Sequence, residues 1–244
     1  MKNDNNKTVA MEHFLRWSEE AKTRFPNLIV CAGSIRNVKV KVEPHILESK
    51  TLKESIMART RQNYKAEMLK DDSTVRAYRD LYWSLGIDPT KTRPSGEALL
   101  RRVLHRNEIP TISNVVDAYN LASLETIIPL SGFDQDLIVP PLEIRFSNGK
   151  DEFKGIGMDK PGKLTDKVLL VADGKQILCI YPYRDADTTK ITEKTRNVLI
   201  VGYGAPAINK TQLVAAVEKA LAYIEKMAGG RKGTVNVFQS NQQL

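Results

Sequence analysis

Cysteine is scarce. Two occur in 244 residues, Cys31 and Cys179, each inside an apolar, strand-like run. No CxxC pair exists, so neither a zinc site nor a disulfide framework is indicated, and both thiols read as small buried hydrophobes. Histidine is nearly as rare: His13, His45 and His105 are scattered and none has ligand spacing from another. The chain has no GxxxxGK[ST] loop, no HExxH and no GxSxG elbow, which argues against an ATP-driven or metal-centred enzyme. Gly202-Tyr203-Gly204 supplies a GxG after a strand, but the third glycine is missing and Ala205-Pro206-Ala207 intervenes before the helix, so no nucleotide cofactor is expected. No apolar run approaches a membrane span. The opening MKNDNNKT lacks the apolar stretch of a signal peptide, so a reduced cytoplasm is the expected compartment.

Against these absences stands a surplus of positive charge: 37 Lys+Arg face 29 Asp+Glu, for a formal charge of +8. A surplus of that size favours an anionic partner such as nucleic acid, the alternative being a generally basic soluble protein. The length allows a substantial core. Residues 1–8 read as flexible, 9–228 as one domain, and 229–244 as a flexible tail or an edge strand.

Hydrophobic periodicity predicts a helix over 9–23, a buried strand over 28–32, a turn at Gly33-Ser34, and a half-buried strand in which Val38, Val40 and Val42 alternate with charge. Pro44 opens a helical region. Further helices are expected over 73–85 behind a Ser73 N-cap, and after Ser95, with Glu97 in its first turn. Leu99, Leu100, Val103 and Leu104 form an apolar stripe there, and Arg101, Arg102 and Arg106 a basic face. Residues 110–116 read as extended, 117–123 as a short helix and 129–134 as a loop. Strands are expected near 142–146, 168–172, 176–181 and 198–201, with turns at Asn148-Gly149 and Asp173-Gly174. A final helix starts on an Asn209/Gln212 capping box and stops at Gly229. The sum is an α+β fold: a single mixed-sheet domain with packed helices.

The densest polar pattern lies between Arg93 and Asp136. Within it and beyond it run IPTISNVVDAYN (109–120), IIPLSGFDQDLI (127–138), LEIRFSNGKDEF (142–153), VLLVAD (168–173) and then Thr195. In that order and spacing the chain resembles the tRNA-editing region, the third and fourth domains, of the phenylalanyl-tRNA synthetase β chain. YWSLGIDPTKTRPSGEALLRRVL (82–104) resembles the free-standing proteins of that type. The resemblance implies a pocket between sheet and helices that admits the acceptor end of a mischarged tRNA, where water hydrolyses the aminoacyl ester. An activated ester needs only a held water and donors for the developing oxyanion.

On this likeness Asp117, Asn120, Asp173 and Thr195 are the candidate catalytic residues. Asn114, Tyr119, Ser131, Asp134, Arg184 and Thr192 are candidates for substrate binding. Lys91, Arg93, Arg101 and Arg102 are candidates for RNA phosphates. No metal ligand and no cofactor is expected. The chain departs from the synthetase pattern at Tyr119, where a threonine is usual, at Ser131, where a histidine is usual, and in YPYRDADTTKIT (181–192), where Arg184 and Lys190 replace small and acidic residues. The synthetase's amino-acid specificity therefore does not carry over. Residue by residue, bland alternatives stand beside these roles: Asp117, Asn120, Asp134 and Asp173 also suit caps and turns. The expected function is a trans-acting aminoacyl-tRNA deacylase. A non-catalytic tRNA- or RNA-binding module and a protein binding an amino-acid-like small molecule are the alternatives.

Overall fold

The computed structural model describes residues 14–42 and 47–241. The expected frayed start (1–8), Met11, His13, Pro44, His45 and Ile46 lie outside them. In chain order the elements are β1 (Leu15–Trp17), α1 (Glu19–Arg24), β2 (Ile29–Arg36), α2 (Leu47–Asn63), α3 (Ser73–Ser84), α4 (Ser95–Arg106), α5 (Asn114–Thr126), β3 (Leu130–Asp134), β4 (Leu142–Phe146), β5 (Glu152–Phe153), β6 (Gly162–Lys163), β7 (Leu169–Ala172), β8 (Ile177–Ile180), β9 (Arg184–Asp185), β10 (Asn197–Tyr203), α6 (Lys210–Ala228) and β11 (Arg231–Gln239). The class is α+β, as the sequence suggests, with the strands divided between two main sheets. One has the order β1-β4-β7-β8-β9, the other β11-β2-β10-β3, and β5 and β6 form a small ribbon. The first is mixed, since β1 runs parallel to β4 while its other pairs are antiparallel. Among the described residues no helix is long and apolar enough to cross a membrane.

Helices α5 and α6 pack on each other, and α6 packs on β2 and β10. The close fit explains Gly33. The Gly-Ser pair suggests a turn, yet β2 runs straight through it, paired with Ile200 of β10 and Val235 of β11. A Cβ on Gly33 would lie 2.8 Å from Leu221 Cδ1, so glycine lets α6 approach the sheet. The α6 termini follow the sequence: Asn209 and Gln212 form a reciprocal capping box, and Gly229 is the C-cap. The tail forms β11, at the end of its sheet beside β2.

Several local expectations give way to tertiary pairing. The helix expected over 9–23 is, in its described part, strand β1 followed by the short α1, capped by Ser18, whose Oγ accepts from Ala21 N at 3.2 Å. Pairing with β4 buries Leu15 and Trp17 and turns Arg16 outward, a period of two that the longer helical pattern masks. Residues 38–42 join no ladder; Val38 and Val40 are buried and Val42 is exposed. Asp72, rather than Ser73, caps α3, accepting from Thr74 N and Val75 N. Pro94 occupies the N-cap of α4, so Ser95 is its first residue. The short helix expected over 117–123 extends over Asn114–Thr126 behind a Ser113 cap. Residues 129–134, expected as a loop, supply β3, because pairing with β10 fixes them.

Candidate functional site

The two sheets meet where β3, at the end of one, faces β8 and β9, at the end of the other. Ser131 on β3 donates from Oγ to Asp185 Oδ1 on β9 at 2.5 Å. Asp185 pairs with Cys179 across β8–β9. Cys179 Sγ lies 3.0 Å from Tyr203 Oη on β10, and the Tyr203 ring meets Tyr181 edge-on at 4.9 Å. Burial pushes the Asp185 carboxyl up to about 7, against the opposing pull of the Ser131 hydrogen bond. Burial likewise raises Cys179, Tyr203 and Tyr119 above their ordinary values. Asp185 Oδ2 accepts no hydrogen bond from a described residue, and the residue as a whole is half-buried. A carboxyl in that setting can exchange a proton near neutral pH.

Tyr119 of α5 comes to the same place from the other side of β3. Its ring lies against Gly132, where a Cβ would stand 2.6 Å from Cε1. The Asp185 charge reaches its phenol, which has no hydrogen-bond partner among the described residues. Beyond it, Thr195 Oγ1 donates to Asp134 Oδ2 at 2.6 Å and accepts from Thr192 N at 3.0 Å. Thr192 and Thr195 sit in a turn, not on a helix. The structure therefore joins Ser131 to Asp185, places Tyr119 across β3 from them, and separately ties Asp134 to Thr195 and Thr192.

The other candidates are engaged elsewhere. Asn114, expected on an extended segment, opens α5; its Oδ1 accepts from Lys41 N at 2.8 Å, and its Nδ2 donates to Lys39 O and Met227 O. Asp117 is buried, paired with Lys53 Nζ at 2.5 Å, and accepts from Ile112 N at 2.8 Å. Asp173 accepts from Val139 N, Lys175 N and Gln176 N, holding the β7–β8 turn and its neighbour loop. These three perform the capping and turn-forming work that their residue types favour. Asn120 is half-buried and makes no side-chain hydrogen bond among the described residues. The exposed Arg184 extends over the Tyr183 ring at 5.9 Å.

On the basic side, Arg93 and Arg102 are exposed and have no acidic partner among the described residues. Lys91 reaches Asp88 only at 3.9 Å. Arg101 donates from Nε to Glu97 Oε1 at 2.7 Å. Glu97 is itself fully buried and clamped by Arg79, so one face of Arg101 is spent inside the fold. Helix α4 packs on α5, which carries Tyr119.

A cavity of about 270 Å³ opens at a different place, between the end of α3, the β6 loop and strands β7 and β8. Leu85, Ile87, Leu164 and Val168 line it, with Lys163 and Tyr183. None of the candidate catalytic, substrate-binding or RNA-binding residues lines it. Among the described residues no three His, Cys, Asp or Glu gather to hold a metal.

Asp185 is the member that sequence reasoning missed. RDAD reads as exposed charge, with Asp185 as the partner of its neighbour Arg184. No local signal shows that β3 will cross in front of it.

Phenylalanine–tRNA ligase β subunits match parts of the chain. That of Geobacter metallireducens is 27% identical over 172 residues, covering 59% of this chain and 21% of its own. That of Staphylococcus haemolyticus is 36% identical over 95 residues, covering 38% and 12%. That of Haemophilus ducreyi is 28% identical over 102 residues, covering 41% and 13%. The matches thus span about a fifth or less of these relatives' own length. An N-terminal fragment of the Pyrococcus horikoshii phenylalanyl-tRNA synthetase β subunit aligns over 89% of this chain and 49% of its own, at 12% identity and a TM-score of 0.48, too loose a likeness to add weight. The B3/4 domain model matches residues 77–229, from α3 to the end of α6, enclosing Tyr119, Ser131 and Asp185. The chain belongs to the B3/4 domain family.

Proposed function

We propose that the protein is a trans-acting aminoacyl-tRNA deacylase that hydrolyses the ester of a mischarged tRNA without metal or ATP. The observation that carries this reading is the B3/4 family match over 77–229, beside the similarity to phenylalanine–tRNA ligase β subunits. The +8 charge supports a polyanionic substrate. Arg93 and Arg102, exposed and without acidic partners among the described residues, take the acceptor-end phosphates, with Lys91 and the free face of Arg101 beside them. Tyr119 and Ser131 meet the aminoacyl group, and Asn120 and Arg184 flank its approach. Asp134, Thr195 and Thr192 hold the turn behind β3. Asn114, Asp117 and Asp173 keep the framework rigid. The test is release of amino acid from a panel of mischarged tRNAs incubated with the protein in a cytoplasm-like buffer containing chelator. Release above the uncatalysed rate from at least one supports the reading; none from any removes it.

A second reading, tRNA binding without catalysis, is favoured by the saturated hydrogen bonding of Asn114, Asp117 and Asp173. It predicts affinity that falls steeply with salt and no loss of ester.

A further inference from the structure

We propose that Asp185 is the water-activating base of this site, with Ser131 as its positioning residue; the proposal rests on the deacylase reading. The two carboxylate oxygens have different surroundings: Oδ1 is fixed by Ser131 Oγ at 2.5 Å, and Oδ2 accepts from no described residue while the side chain is only partly buried. A carboxylate held by one oxygen presents the other in a constant direction, as a general base requires. Ser131 from β3 bonds it, Cys179 of β8 pairs with it, and its charge reaches Tyr203 of β10 and, from the opposite face of β3, Tyr119 of α5. All four are neutral near pH 7, and no lysine or arginine contributes to its titration. Nothing among them neutralises the carboxylate or competes for the proton it takes. Backbone also fixes β9: Ile156 N donates to Asp185 O at 2.9 Å, and Ala186 N to Leu178 O at 2.8 Å.

The step balances without a further reactant. Water bound at Oδ2 attacks the ester carbonyl carbon, forming a C–O bond as its proton passes to Asp185. The electron pair moves to the carbonyl oxygen, giving a tetrahedral oxyanion. The intermediate collapses, the bond from carbon to the ribose oxygen breaks, and the Asp185 proton goes to that oxygen. The products are a free amino acid and an uncharged tRNA, and the carboxylate is restored.

The test compares wild type with Asp185→Asn and Ser131→Ala on whichever mischarged tRNA the wild type deacylates fastest, in single turnover across pH 5.5–8.5. Asp185→Asn is expected to lower the rate about 10²–10⁴-fold, with unchanged tRNA affinity and a folded thermal transition. The wild-type rate rises with pH through about 7. In Ser131→Ala that midpoint moves upward, because a hydrogen bond that favours the ionised form is gone. An Asp185→Asn rate within threefold of wild type overturns the assignment while leaving the deacylase reading intact. An acyl-enzyme on Ser131 found by mass spectrometry also overturns it, making Ser131 the nucleophile. A wild type inert on every tRNA overturns both readings.

Discussion

Asp185 sets stability against ionisation. Its carboxyl is raised from the ordinary 3.8 to about 7 by burial. Between those values the unfolded chain has released the proton and the folded chain keeps it, so stability falls as pH rises from about 4 to about 7 and the loss is complete above that. Asp185→Asn removes the titration. Its melting temperature is expected to match wild type near pH 4.5 and to exceed it by several degrees at pH 8; an equal difference at both would show that the carboxyl is not raised. Gly132 bears on the same site: a methyl there would stand 2.6 Å from the Tyr119 ring. Gly132→Ala is expected to displace the ring, leaving the fold cooperative but cutting deacylation more than tenfold, an estimate from the sensitivity of reacting geometry to shifts of about 1 Å. Ser131 and Tyr119 are within reach of the sequence only through family likeness. Asp185 is not, because the residues that bury it come from β3 and β10, more than ten positions away on either side.

At the scale of elements, the helices are pinned to one another by buried charge. Lys53 of α2 pairs with Asp117 of α5, with side chains only 12% and 2% exposed. Lys53→Met leaves the Asp117 carboxylate buried without its cation and is expected to destabilise the fold by about 3–5 kcal/mol in urea unfolding. A change below about 1 kcal/mol would mean that Ile112 N alone suffices for Asp117. Glu97, fully buried, joins α3 to α4 through Arg79 and Arg101. Burial works to raise its carboxyl, but the two arginine hydrogen bonds outweigh that and hold it below the ordinary value. Elements with strong local signals are legible: α6 through its capping box and Gly229, β4 through strict alternation, the Asp173 turn through Asx chemistry. Where pairing partners decide, the sequence misleads. β1 hides inside a helical period, β2 crosses a Gly-Ser pair that resembles a turn, and β3 carries Ser131 and Gly132 where local composition suggests a loop. Arg101, grouped with Arg102 by spacing, is half spent on Glu97.

Across the whole molecule, Ser131 and Asp185 join the two sheets, and the basic helix α4 packs on α5, which carries Tyr119. The α+β class is legible from the succession of periods. The division of the strands between two sheets is not, since nothing local states which strand ends meet. Arg93 and Arg102 are exposed and without acidic partners among the described residues, and on the proposed function they meet RNA phosphates. Charge reversal of both is expected to weaken tRNA binding more than tenfold and to lower the slope of log affinity against log salt by about 1 for each phosphate no longer neutralised. Fluorescence anisotropy at about 50 to 200 mM salt reads both, with melting temperature unchanged. An unaltered slope would move the RNA face elsewhere. Deacylation by the wild type at pH 6 and pH 8 is the decisive measurement, with mischarged tRNAs supplied as a panel and the uncatalysed rate subtracted. Release from at least one tRNA is expected, about tenfold faster at pH 8, since a base titrating near 7 is mostly ionised there and mostly protonated at pH 6. Silence across the panel, or equal rates at the two pH values, would contradict the assignment of Asp185 as a base acting on an aminoacyl ester.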